Sequence, residues 1–243
     1  MMPRQLLAPL AALFVAVAPA QAQLIHYWDF TSNANDAIGG AIGTLNPGAV
    51  VSGGVLDLNG TSGYVDFGSH LVPTSGAYTV AFFARTQGPQ GGIAEMISQG
   101  YSGGPGFYIG SNGGTGLRVT DSWPYAVGAG YFGVDELFHH YALTVDPSYS
   151  AFYVDGVMVA NTPGGIVTTA GGTDTRFGAQ FGPYGEYFNG EMDDVRIYGN
   201  ALSAGEVRDL ADGVVATPEP ASVALIGTGL IGIVGAARRK RSR

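Results

Sequence analysis

Glycine divides this chain into pieces too short for helical packing. Forty of its 243 residues are glycine and 13 are proline. From Leu24 to about Asn200 these fall, with Asn and Asp, between short runs rich in Val, Ile, Leu, Tyr and Phe. Runs of this kind bounded by turn formers read as strands. They predict strands over Leu24–Phe30, Val55–Leu58, Tyr64–Phe67, Tyr78–Arg85, Ala94–Ser98, Gly106–Gly110, Leu117–Thr120, His139–Asp146, Ala151–Val154, Val157–Asn161, Thr175–Gly178 and Phe188–Tyr198. Asp155-Gly156 between two such runs predicts a two-residue hairpin, because both turn positions need positive φ. One helix follows, Ala204–Ala211. Ser203 caps its first turn, Glu206 three residues on completes a capping box, and Val207 and Leu210 face the sheet. The glycine-rich stretches Gly103–Gly106 and Gly110–Gly116 lack the Lys and the following helix of a phosphate loop, so they read as loops. There is no internal repeat of about 20–50 residues, which excludes a solenoid or propeller. The reading is an all-β sandwich with one short C-terminal helix.

The two ends carry addresses. Residues 1–22 read as a secretory signal peptide: Arg4 gives the positive start, Leu6–Ala18 is apolar, and Ala20-Gln21-Ala22 is a small-x-small cleavage site. The mature chain then begins at Gln23. Residues 212–220 form a linker ending in Pro218-Glu219-Pro220. Ala221–Ala237 has no charge and is long enough to enter a bilayer as a helix. Arg238, Arg239 and the basic residues after them hold that end on the cytoplasmic side. Between the two ends, Leu24–Ala216 holds five arginines, no lysine and 18 acidic residues, a net charge of −13. A body this acidic repels phosphate backbones, which excludes nucleic acid as a partner. The absence of Cys excludes disulfides, thiol catalysis and zinc-thiolate sites.

Pro-Glu-Pro, an apolar helix and an Arg-rich end, in that order over 217–243, resemble the PEP-CTERM sorting signal of Gram-negative bacteria. The resemblance implies export, a membrane-held intermediate, processing by exosortase with the secretion machinery, and display on the cell surface or in an exopolysaccharide matrix. The body resembles a second family in four ordered blocks. These are Leu24–Phe30 with Asn33–Asp36; Gly53–Gly60 with Tyr64–Asp66; His139–Val145 with Tyr153–Gly156; and Phe188–Tyr198 with Ala201–Ser203. Together they look like a laminin G-like, concanavalin A-like jelly roll over residues 23–211. That fold hosts lectins, adhesion modules and glycan-cleaving enzymes, so it does not fix the function.

Three sets of residues in the chain could carry chemistry. Concanavalin A-like glucanases often carry Glu-x-Asp-x-Glu on one strand face, a resemblance that Glu191-Met192-Asp193-Asp194-Val195 breaks at its third acid. Glu191 and Asp193 can still share a face, but the expectation is no catalytic residue and no enzyme. Calcium is the expected cofactor, a structural ion held by oxygen ligands: Asp29 and Asp36 at the first turn, with Asp193 and Asp194 on a closing strand that pairs with the first. Tyr101, Trp123 and Tyr125, beside Gly or Pro in predicted loops, are the expected sugar-contacting residues. Of the histidines His26, His70, His139 and His140, none has metal spacing, and His140 reads as a packed, hydrogen-bonded core residue. The functional expectation is a surface-sorted, non-catalytic, lectin-like module binding polysaccharide or another matrix component. A glycan-cleaving enzyme and a structural matrix protein without a sugar ligand stand as alternatives.

Overall fold

The structure is a computed structural model, and it describes residues 22–88, 90–100, 106–114, 116–119, 128–129, 135–163, 174–180 and 185–213. The expected leader, the expected sorting-tail residues Pro218, Glu219, Pro220, Arg238 and Arg239, and the expected transmembrane helix fall outside these residues, apart from Ala22. Among the described residues, no helix is long and apolar enough to cross a membrane.

Fifteen strands appear among the described residues: β1 (Leu24–Trp28), β2 (Thr44–Leu45), β3 (Ala49–Ser52), β4 (Val55–Asn59), β5 (Val65–Asp66), β6 (Tyr78–Thr86), β7 (Gln90–Gly100), β8 (Phe107–Gly114), β9 (Gly116–Val119), β10 (Gly128–Ala129), β11 (His139–Asp146), β12 (Tyr149–Val154), β13 (Val157–Pro163), β14 (Asp174–Phe177) and β15 (Asn189–Tyr198). They form two antiparallel sheets. One has eight strands, β13-β12-β11-β6-β15-β4-β3, with β1 also paired to β15; the other has seven, β10-β9-β8-β7-β14-β5-β2. The expected first-to-last pairing is present, Trp28 opposite Val195. Alternation explains the packing: one side of each strand enters the space between the sheets. Trp28, Phe67 and Phe177 meet there with ring centroids 4.8–5.2 Å apart, and Leu56, Val80, Phe82, Ile97, Ile109, Leu143 and Ile197 extend the same core.

The helix α1 (Ala204–Ala211) lies where the sequence places it. Ser203 and Glu206 form both bonds of the capping box. Val207 and Leu210 pack on Ala81, Ala142 and Ala151, flanked by Tyr153 and Tyr198. Small side chains on three neighbouring strands give the helix a flat seat on the outer face of the eight-stranded sheet. The Asp155-Gly156 hairpin is also present, with φ of 49° and 73°.

Two expectations are corrected. The expected strand Gly106–Gly110 runs further, as β8: residues 111–114, read as loop, belong to it. Its first glycine is demanded by packing: a Cβ on Gly110 would run into the Ala94 backbone carbonyl and lie 2.6 Å from the Glu95 carboxylate on the neighbouring strand. The other correction concerns β2, β3 and β10, which no periodic run announced. They are strands of two to four residues, too short to show alternation.

Candidate functional site

The outer face of the eight-stranded sheet shows why the carboxylate motif is interrupted. β15 changes partners along its length: Asn189–Met192 pair with β4 and Val195–Tyr198 with β1, while β6 follows the other edge. A bulge between Asp193 and Arg196 sits at the change, with Asp194 at φ 51°. An extra residue reverses the alternation that follows it. Val195 therefore enters the core, fully buried, instead of standing beside Glu191 and Asp193. A bidentate pair holds Glu191 to Arg85, at 2.8 Å for both bonds, and Arg85 lies over Phe138. Arg85, Thr86, Gln87, Glu136 and Glu191 line an open cavity of about 260 Å³ here. Asp193 is pushed up to about 6, first by burial and then by the charges of Asp194 and Asp29.

The four expected calcium ligands do not gather at one point. Asp36 Oδ1 accepts from the backbone N–H groups of Tyr27 and Ile38, and its Oδ2 lies 2.6 Å from His26 Nδ1. Burial alone would raise its pKa, but the Tyr27 N–H, His26 and the N–H groups of Ile38 and Gly39 hold it below the usual carboxylate range. Asp194 instead accepts from the far end of Tyr27, its hydroxyl, at 2.6 Å, and from Arg196 at 3.1 Å. A tyrosine's length thus separates Asp36 from Asp194. Asp29 Oδ1 closes a local turn with the Thr31 N–H and hydroxyl. Calcium needs about six to eight oxygens, and among the described residues no group of three or more His, Asp or Glu could hold a metal ion. This donor set does not fit the ion, and Asp36 is a structural clamp on the first turn.

His140 is buried as expected, 1% exposed against Phe83. The expected hydrogen bond is absent: neither ring nitrogen has a partner among the described residues. Burial, then the Arg196 charge, pushes it down to about 4.

The expected sugar-contacting residues Tyr101, Trp123 and Tyr125 lie outside the described residues. A different aromatic face is present on the outer side of the seven-stranded sheet. Glu95, Gly110 and Arg118 stand opposite one another on β7, β8 and β9. Because Gly110 has no side chain, Arg118 reaches across it to an ion pair with Glu95. The Arg118 guanidinium also stacks on Tyr108 at 4.5 Å. Beside it, Arg176 stacks on Tyr64 at 4.8 Å and bonds Asp66. Tyr64 meets Tyr187 with centroids 6.3 Å apart, both rings half-buried. Residues 178–180 and 185–187 fold over the edge of this face: Ser98 Oγ donates to Ala179 O at 2.7 Å, and Glu95 N donates to Glu186 O at 2.8 Å. Sequence reading missed this cluster because its members come from six separate segments. The available signal was Tyr64 and Asp66 alternating with the core residue Val65.

A family model described as the concanavalin A-like lectin/glucanases superfamily matches residues 59–208. A second, the PEP-CTERM protein-sorting motif, matches residues 216–241. No curated protein matches. Among solved structures, domain 4 of AbnA, a GH43 extracellular arabinanase from Geobacillus stearothermophilus, in complex with arabinotriose, is similar at 21% identity and TM-score 0.63. The match covers 79% of this chain and 100% of that one. The binding domain of Paraclostridial Mosquitocidal Protein 1 is similar at 14% identity and TM-score 0.64, covering 79% of this chain and 52% of that one. Trypanosoma rangeli sialidase in complex with 2,3-difluorosialic acid is similar at 16% identity and TM-score 0.60, covering 77% of this chain and 32% of that one. At these identities the likeness is one of fold.

Proposed function

Since the chain belongs to the concanavalin A-like lectin/glucanases superfamily and ends in a sorting motif for exosortase-dependent surface display, we propose that it is a non-catalytic lectin-like module displayed on the cell surface to hold polysaccharide. The observation that carries this reading is the half-exposed Tyr64–Tyr187 pair among arginines and carboxylates on the outer face of the seven-stranded sheet. Aromatic faces offer apolar contact to the C–H faces of sugars, and the polar groups around them fix orientation. Display in an exopolysaccharide matrix after export by a signal peptide completes the proposal. The enzyme reading has one observation of its own. Asp193, near 6, is tuned as a general acid would be. Its neighbour Glu191 is neutralised by Arg85, so the pair lacks a free second carboxylate.

The test is a glycan array with the full chain in detergent micelles, run with calcium and with chelator, with released sugars measured on every hit. Binding without release supports the module, and calcium-independent binding agrees with the dispersed carboxylates. Release that disappears in Asp193→Asn establishes an enzyme instead. A folded protein silent on the whole array leaves the structural role.

A further inference from the structure

One end of the eight-stranded sheet, at the β12–β13 turn, carries apolar side chains that neither the core nor α1 covers. Val157 and Met158 follow the turn, and Leu137 and Phe138 precede β11. All four are exposed, Val157 and Leu137 at 62%. His139 ties the two segments together. Its Nδ1 lies 2.7 Å from Asp155 Oδ2 in the turn, and its Nε2 lies 3.0 Å from Asp135 Oδ1. Asp155 Oδ1 in turn accepts from the His140 N–H at 2.9 Å. Exposed apolar side chains gathered and held in one place mark an interaction surface.

The point where the chain leaves the body says what lies against this surface. Gly156 in the turn packs on the last turn of α1: a Cβ there would lie 3.0 Å from Arg208 Cα and 3.4 Å from Ala211 Cβ. The described body ends two residues past α1, at Gly213. Only residues 214–220 separate it from the uncharged stretch Ala221–Ala237 within the sorting motif. Fully extended, that linker reaches at most about 25 Å.

Building on the surface-sorting reading, in which Ala221–Ala237 holds the chain in a bilayer before processing, we infer that Leu137, Phe138, Val157 and Met158 form a platform that rests on the lipid surface of that intermediate. The short tether keeps this end of the sandwich at high local concentration over the bilayer. Apolar and aromatic side chains enter the boundary between headgroups and acyl chains. Charge selects the lipid. The exposed carboxylates Asp135, Glu136, Asp155, Asp209 and Asp212 outnumber Arg208 around the platform. Zwitterionic headgroups accept such a surface, and anionic ones repel it.

The chain has no cysteine, so single sites can be labelled. The experiment attaches the fluorophore NBD to the full chain at Val157→Cys, Leu137→Cys, Ser148→Cys or Leu230→Cys. Each protein is placed one per nanodisc in phosphatidylcholine doped with lipids that carry a nitroxide quencher on the acyl chain. Leu230 lies in the uncharged stretch. Ser148 lies in the β11–β12 turn, at the other end of the six-residue β12 and about 20 Å from the platform. Quenching is expected at 157, 137 and 230 and not at 148. It should fall at 157 and 137, and not at 230, when phosphatidylglycerol replaces part of the phosphatidylcholine at low salt. Leu137→Asp with Met158→Asp should remove most of the quenching at 157; both positions are exposed, so melting should be unchanged. Quenching at 230 alone, or as strong at 148 as at 157, would overturn the platform and leave the sorting reading standing. Quenching at 157 that appears only in discs holding two chains would assign the patch to a second copy and overturn the platform as well. No quenching at 230 would overturn both the membrane-held intermediate and the platform.

Discussion

The two outer faces of the sandwich are built from opposite materials. On the eight-stranded sheet, alanines at 81, 142 and 151 leave a shallow seat that α1 fills with Val207 and Leu210. On the seven-stranded sheet, Glu95, Arg118, Tyr108, Arg176 and Tyr64 form stacked ion pairs, crossed at one edge by chain rather than by a helix. A helix seat gains from apolar area removed from water and from close fit. Buried ion pairs add little net stability over well-packed apolar residues, so their presence needs a reason other than stability. The difference gives the first face structural closure and makes the second the face on which the proposed recognition rests.

The strongest way to break this assignment is to rebuild the interrupted acid motif. Val195→Glu restores Glu-x-Asp-x-Glu in sequence, but the bulge directs position 195 into the core. A charge placed there without a partner costs more than about 4 kcal/mol. The expected outcome is a chain that loses cooperative melting and gains no glycan cleavage. A folded, active variant would show that β15 can be straightened and that its outer face is a dormant active site. Next in size is Arg118→Met, which leaves Glu95 buried without its main counter-charge. The expected loss is about 3–5 kcal/mol, read by denaturant melts. Glu95→Gln combined with Arg118→Met should recover much of that loss, because the stranded charge is gone. A negligible effect of the single change would mean that the polar face is solvated and not preorganised.

The sequence makes the first face far easier to read than the second. The helix and its capping box depend on residues three or four positions apart, and the Asp155-Gly156 hairpin on two adjacent residues. Strand β11, His139–Asp146, is an apolar run long enough to set its own bounds. Local rules reach all three. The polar face depends on register instead. Glu95, Gly110 and Arg118 become neighbours only once β7, β8 and β9 are aligned, and the bulges in β7 shift that alignment. The stretch after Gly110 misled for the same reason: the glycine at 110 answers to the close approach of the neighbouring strand at Ala94 and Glu95 and not to a turn. Asp36 shows the reverse error. An Asp/Asn-rich turn looks like a cation loop until its carboxylate is seen holding His26 and two backbone N–H groups.

A pH titration of stability sharpens the comparison at intermediate size. His140, on the helix-bearing sheet, is held near 4, against about 6.5 in an unfolded chain. Below about pH 6.5 the unfolded chain takes up a proton that the folded chain refuses. The stability from this site is therefore full above pH 6.5 and falls as pH drops towards 4, by roughly 3 kcal/mol. Asp193 works in the opposite sense: its pKa near 6 gives stability as pH falls through 6. Its half-exposed carboxyl limits that gain to about 1 kcal/mol. His140→Leu removes the first contribution and keeps the second. The variant should equal or exceed the wild type at pH 7 and outlast it increasingly towards pH 4 in parallel urea melts. Equal pH profiles would mean that water or another group already solvates the ring.

The smallest effect tests whether the helix is held by its cap or by its seat. Ser203→Ala removes the side chain that accepts from the Glu206 N–H and donates its own hydroxyl to Glu206 Oε2. Loss of such a cap costs about 1 kcal/mol, roughly 2–4 °C in Tm for a domain of this size. Burial of Val207 and Leu210 is untouched by the change, so α1 should stay docked and glycan binding on the opposite sheet should be unaltered. A much larger drop in Tm would show that the cap, and not the alanine seat, positions the helix. A parallel loss of sugar affinity would mean that the two faces are coupled through the core between them, and their roles could no longer be assigned separately.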